Sequence, residues 1–235
     1  MFEELDRRST AQGEISLRRR FDPSLRVEVH EVRLADAFLM SSLFTVAEEE
    51  LARLTLAAIG GGGPLDVVVG GLGLGCTARA ALEDRRVRSV RVIEAAEPVI
   101  EWHRAGLVPL GAELTASGRC RFVPGDFFRA VRSDASDDDA VGDADAVLLD
   151  IDHSPRDHLH PDHAAFYTEA GLVDVRRRLR PGGAFGLWSD DPPEAGFTGI
   201  LERVFAGVAA HVVEFPNPYT GETSANTVYV ATTPG

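Results

Sequence analysis

From Leu65 onward, strand-length apolar runs alternate with segments of helical spacing, a pattern that predicts a parallel α/β sheet. The runs are Leu65–Gly70, Val87–Glu94, 119–123, 146–150 and 184–188. Between them the spacing predicts helices over Cys76–Glu83, 98–105 and Phe127–Arg132, then a long helix around 164–179 stopped by Pro181-Gly182-Gly183. A helix over 194–205 and strands over 211–215 and 226–231, joined by a Pro/Gly turn, predict a closing antiparallel hairpin. Ahead of Leu65, residues 13–20, 25–34 and 37–42 form short alternating or β-rich runs separated by Asp22-Pro23 and Ala35-Asp36, the pattern of a small antiparallel sheet. Thr45 with Glu48 three residues on reads as a capping box for a helix ending near Gly60, and GGGGP follows as a linker. The expected organisation is therefore a small N-terminal β-sheet region (1–44) and a doubly wound α/β domain (45–235).

Composition narrows the class. A hydrophobic fraction of 44% with 26% charged residues over 235 residues supports one substantial core. No apolar run is long enough to span a bilayer, and MFEELDRRST carries no secretion signal, so no membrane partner and a cytoplasmic setting are expected. The net charge of −13 argues against nucleic acid as a partner. Part of that charge sits in 133–145, whose six aspartates and few apolar side chains predict a solvated loop. Cys76 and Cys120 fall inside predicted elements and read as buried free thiols. Lysine is absent, which removes Schiff-base and lysine-nucleophile chemistry.

The candidate chemistry gathers at strand ends. The run LDVVVGGLGLG brings a strand into Gly70, Gly71, Gly73 and Gly75, and Glu94 ends the next strand nineteen residues after Gly75. Glycines allow a sharp strand-to-helix turn and close backbone approach to a ligand, and an acid at the second strand tip accepts ribose hydroxyls. Asp126 follows the third strand, placed to accept from an exocyclic amine or to cap the helix after it, and Phe127 is placed to lie against a base. Asp150 ends the fourth strand.

These strand ends resemble, in order and spacing, the class I S-adenosylmethionine-dependent methyltransferase fold, whose seven-stranded, Rossmann-like sheet they imply. Within it the chain is similar to the spermidine synthase (polyamine aminopropyltransferase) family over about 13–188, through VIEAAEPVIEWHR, GDFF, DIDHSP and HAAFYTEAGLVDVRRRLRPGGAF. The resemblance implies S-adenosylmethionine or its decarboxylated form as group donor, no metal, a small amine as substrate and a homodimer. It assigns the nucleoside to Gly71, Gly73, Gly75, Glu94, Asp126 and Phe127, and proton abstraction from the attacking amine to Asp150. An ammonium has no free lone pair, so a carboxylate must take its proton. The chain departs from the family's Asp-Ser-Ser/Thr-Asp-Pro motif: Asp150-Ile151-Asp152-His153-Ser154-Pro155 displaces the second acid, and the family's tyrosine aligns near Ala47. Asp152, His153 and Asp190 are the expected substrate-side groups, with Asp191 as a further candidate. A like charge from Asp152 is expected to help poise Asp150.

Three other readings stay open at this stage. The resemblance implies aminopropyl transfer, and the altered motif favours methyl transfer as the alternative. A nucleoside-binding protein without catalysis is the second. His158, His160, Asp162 and His163 also match the H-x-H-x-D-H pattern of zinc hydrolases, against a plainer reading in which Asp162 caps the helix that follows.

Overall fold

The computed structural model describes residues 2–10, 13–35, 37–132 and 141–235, so most of the acidic stretch, 133–140, lies outside the described residues. Strands β1 (Phe2–Thr10), β2 (Gly13–Asp22), β3 (Val27–Leu34) and β4 (Ala37–Ser41) pair in that order, all antiparallel. The small N-terminal sheet is as expected, with one strand more than the pattern predicts. FEELDRRST lacks an apolar stripe, and β1 is held instead by its ladder to β2, the Arg19–Glu3 ion pair at 2.7 Å and a Trp102 indole N–H donated to Asp6 at 2.8 Å.

The second layer contains α1 (Val46–Ala57), β5 (Leu65–Gly70), α2 (Cys76–Glu83), β6 (Val87–Glu94), α3 (Glu97–Arg104), α4 (Gly111–Ala116), β7 (Cys120–Pro124), α5 (Phe127–Arg132), β8 (Ala144–Leu149), α6 (Glu169–Arg178), β9 (Leu179–Ser189), α7 (Ala195–Val204), β10 (Gly207–Pro216) and β11 (Thr223–Thr232). The seven strands lie in the order β10-β11-β9-β8-β5-β6-β7. All neighbours are parallel except β11, which runs antiparallel to both β9 and β10, so the closing hairpin is present. Because side chains alternate across a strand, Val67 and Val69 of β5 pack with α1, α2 and α3 on one face, while Val68 packs with α5, α6 and α7 on the other. From β5 the chain winds outward through β6 and β7, then returns to β8 on the other side. A crevice opens at that reversal, at the carboxyl ends of the strands.

Three local expectations are corrected. Thr45 makes no side-chain cap to α1, and its hydroxyl reaches Glu49 at 3.3 Å instead, which releases Glu48 from any capping box. The long helix is split: a 3-10 turn (Pro161–Ala165) precedes α6, whose cap is Thr168, accepting from the Gly171 N–H at 3.3 Å, so Asp162 does not cap it. Helix α4 is additional to the predicted set.

The N-terminal sheet is tied over the crevice. Met40 of β4 covers the glycine loop, its sulfur accepting the Leu74 N–H at 3.1 Å. On the far side Tyr219, between β10 and β11, donates to Asp22 at 2.7 Å, accepts from Arg20 at 2.9 Å and meets Phe44 edge-on.

Candidate functional site

Between the strand ends and the N-terminal sheet lies a cavity of about 830 Å³, lined by Gly71 and Gly73 after β5, Glu94 of β6, Asp126 and Phe127 after β7, and Asp150 after β8. Four successive strand ends thus meet in one space, as the fold requires of parallel strands flanking a reversal.

The glycine loop shows why side chains are excluded. Gly71 has φ +92°, and a Cβ there would stand 2.1 Å from the Asp150 carbonyl oxygen. Gly73 has φ +48° and would strike the Met40 sulfur at 2.3 Å. Gly75, the N-cap of α2, faces elsewhere: a Cβ would meet Leu114 and His103, so it serves helix packing and does not line the cavity. His103 completes the loop by placing Nε2 3.0 Å from the Gly73 carbonyl oxygen.

Glu94 shapes the same loop. One oxygen accepts the Leu72 N–H at 2.9 Å and the other the Ala96 N–H at 2.7 Å. Burial pushes its carboxyl upward against the opposing pull of these N–H groups. The N–H groups of Gly73 and Ala95 pull the same way. Asp126 lines the cavity and also takes the plainer role, accepting the Arg129 N–H at 3.2 Å at the start of α5. Phe127 is buried with its ring against Gly70, where a Cβ would be 2.7 Å away.

Asp150 accepts the Thr77 hydroxyl at 2.6 Å, and its own N–H is bound to the Gly70 carbonyl at 2.9 Å. Burial raises its carboxyl from 3.8 to about 6, opposed by the Thr77 hydrogen bond. The neighbouring acid is Glu48 of α1, buried at 8% exposure and lining the cavity. Burial first, then the Asp150 charge, push Glu48 up to about 8.

Asp152 has a different place. It is 2% exposed and does not line the cavity; its carboxylate accepts the Tyr167 hydroxyl, His163 Nδ1 and the Leu159 N–H, each at 2.8 Å. It anchors the segment 153–163 from beneath, and the like charge expected from it at Asp150 is not what raises that carboxyl; burial is, and the acid that feels Asp150 is Glu48. His153 and Asp190 do line the cavity, Asp190 accepting from Asn226 at 2.7 Å. The carbonyl oxygen of Asp191, not its carboxylate, is engaged, accepting from Thr227 at 2.7 Å.

Three residues of the histidine motif, His160, Asp162 and His163, line the cavity, and His158 does not. His158 stacks on Tyr167 at 4.8 Å with Nε2 2.8 Å from the Pro155 carbonyl oxygen, and His163 stacks on Phe128 at 3.9 Å. Among the described residues no three His, Cys, Asp or Glu side chains converge as metal ligands, and the sheet is not the sandwich of a zinc hydrolase. Cys76 is buried, its thiol pushed up to about 12, and Cys120 is partly buried, its thiol pushed up to about 11; both are free.

Sequence reasoning missed Glu48, Trp188 and Asn226 as wall residues. Glu48 carried a legible signal: with Leu51, Ala52, Thr55 and Leu56 it falls on the buried face of α1, where an unpaired acid is out of place. Trp188 ends the predicted strand 184–188, two residues before Asp190, so its place at the carboxyl edge was legible, whereas nothing in the sequence context of Asn226 on β11 marks the cavity.

No protein-family model and no curated protein matches the chain. Solved structures do. A spermidine synthase in complex with the transition-state analogue AdoDATO aligns over 97% of this chain and 73% of its own, with TM-score 0.75 and 17% identity. Spermidine synthase from Thermotoga maritima aligns over 97% and 72%, with TM-score 0.73 and 18% identity. Human methyltransferase-like protein 13 in complex with SAH aligns over 80% and 78%, with TM-score 0.53 and 18% identity. The chain has the Rossmann-like methyltransferase fold in its spermidine-synthase-like form, in which the likeness spans nearly the whole chain, N-terminal sheet included.

Proposed function

We propose that this chain is a transferase that moves an alkyl group, aminopropyl in the first reading, from a 5′-thioadenosyl sulfonium donor to an amine. One observation carries the reading. Glu48, Glu94, Asp126, Asp150, Asp162 and Asp190 line the cavity, and no arginine does among the described residues, in a chain with 24 basic side chains. Such a wall repels phosphate and carboxylate and attracts sulfonium and ammonium groups. It favours decarboxylated S-adenosylmethionine over the parent molecule, whose carboxylate would meet six acids and no arginine among the described residues.

In this reading Glu94 takes the ribose hydroxyls, Asp126 and Phe127 the base, and Gly71 and Gly73 let the donor approach the backbone. Asp150 receives a proton from the acceptor ammonium. The freed nitrogen lone pair forms the new C–N bond as the C–S bond breaks, its electron pair passing to sulfur to leave a neutral thioether nucleoside. A carboxyl raised to about 6 is mostly ionised at neutral pH yet basic enough to take that proton. Its neighbours supply the rest of the polar wall: His153 and Asp190 face the acceptor side.

Methyl transfer is the second reading, and the inward-turned Asp152 favours it, because the family's second motif acid is then missing from the cavity. Mass analysis of products from both donor forms with a panel of amines separates the two. An aminopropyl gain supports the first reading, a methyl gain the second, and no gain with retained nucleoside binding leaves a binder without catalysis. A homodimer in a cytoplasmic setting belongs to the same proposal, and sedimentation velocity checks the dimer.

A further inference from the structure

We propose that Glu48 and Asp150 work as one carboxylate pair that seats the acceptor's ammonium and receives its proton, with Glu48 supplying the second acid that the strand-end motif lacks. This rests on the proposed amine-directed reading of the cavity and adds a residue that the sequence reading gave to helix capping.

Glu48 and Asp150 line the same cavity. The Thr77 hydroxyl lies 2.6 Å from Asp150 Oδ2 and 3.3 Å from the backbone carbonyl oxygen of Glu48, so α1, α2 and the end of β8 meet at one side chain. Helix α1 is held in place at this point. A Cβ on Gly186 of β9 would lie 2.0 Å from the Thr55 hydroxyl and 2.9 Å from Leu51, so only glycine lets α1 sit this close to the sheet. Glu48 is therefore on a rigid element, which is what a positioned acid needs.

The charge surroundings leave a place for a cation. Asp190 adds its charge from beyond β9, and Glu49 from α1 itself. Burial first, then the charges of Glu48, Asp150 and Glu49, push the Cys76 thiol of α2 up to about 12, so it stays neutral. The cations on these elements, Arg53 of α1 and Arg79 of α2, are both bound to Glu49, at 2.9 and 3.1 Å, and both also pair with Glu83. Burial raises both acids and the Asp150 charge raises Glu48 further, so the pair resists double ionisation and holds a proton more readily than two free carboxyls do. The remaining negative charge holds an ammonium and can accept its proton. An arriving dication allows both acids to ionise, which suits the pair to diamines better than to monoamines.

The test uses the full chain and the variants Glu48→Gln and Glu48→Asp. Calorimetry gives methylthioadenosine affinity, and kinetics with 1,4-diaminobutane give kcat and KM across pH. For Glu48→Gln we expect unchanged nucleoside affinity, a diamine KM raised roughly ten- to hundredfold, and loss of the higher ionisation from the pH profile. Glu48→Asp is expected to recover part of the KM. Unchanged KM and pH profile in Glu48→Gln would overturn the pair. NMR of carboxyl-labelled glutamate, titrated with 1,4-diaminobutane alone, needs no turnover. A shifted Glu48 signal without nucleoside binding defeats the transferase reading and keeps the pair, whereas no shift at Glu48 defeats the pair whatever the donor.

Discussion

Replacing Asp150 by Asn is expected to make the protein more stable and less active, and the size of the gain follows from the site. Asp150 is held in the folded chain at about 6 against an ordinary 3.8, chiefly by burial. A folded-state value above the unfolded one means that the unfolded chain releases its proton first as pH rises. Stability then falls between the two values and stays low above the folded one. At about 1.4 kcal/mol per unit, the raised Asp150 carboxyl costs the fold on the order of 3 kcal/mol near pH 8, where it is ionised, and only about 1 kcal/mol near pH 4.5, where the folded chain keeps it protonated. Asparagine keeps the shape, still accepts the Thr77 hydroxyl through its amide oxygen, and has no charge to desolvate. Urea unfolding of both proteins is therefore expected to show Asp150→Asn ahead by about 2–3 kcal/mol near pH 8, roughly 5–10 °C in Tm for a chain of this length, with the gap closing to about 1 kcal/mol near pH 4.5. Turnover on the same preparation is expected to drop by roughly 10²–10⁴, the contribution of a positioned proton acceptor, with methylthioadenosine affinity retained. An equal or lower stability near pH 8 would refute the burial argument. Full turnover would refute the role of Asp150 as base.

Four further outcomes are expected. Glu94→Gln, which weakens both the loop hydrogen bonds and the ribose contacts, is expected to lose about 1.5–3 kcal/mol of methylthioadenosine binding in calorimetry. Gly71→Ala combines a positive φ with a 2.1 Å overlap on the Asp150 carbonyl, and denaturant melts are expected to show a loss of about 2–4 kcal/mol. Thr77→Val removes the hydrogen bond that holds Asp150 down, so the acid limb of the pH–rate profile is expected to move to higher pH. Chelator treatment is expected to leave activity unchanged, and stoichiometric metal lost together with activity in elemental analysis would contradict the sulfonium chemistry.

What the sequence determined by itself is the parallel sheet and one wall of its cavity. Strand and loop lie next to each other in the chain, so an apolar run that ends in Gly71 and Gly73, and later runs that end in Glu94, Asp126 and Asp150, placed those residues at the carboxyl edge by local pattern alone. β1 escaped because a strand held by pairing and ion pairs has no apolar period to read. The other wall came from contacts distant in sequence. Glu48 obeys the spacing of a capping box, and only the packing of α1 on β9 and α2, close enough to exclude a side chain at Gly186, brings it into the cavity that Asp150 lines. Asp152 sits two residues from Asp150 in a substrate-like motif, yet Tyr167, His163 and the Leu159 N–H satisfy it away from the cavity. A carboxylate goes where its hydrogen-bond donors are. For Glu94 those donors are close by in the chain; for Glu48 and Asp152, what surrounds the side chain exists only once distant segments have packed together.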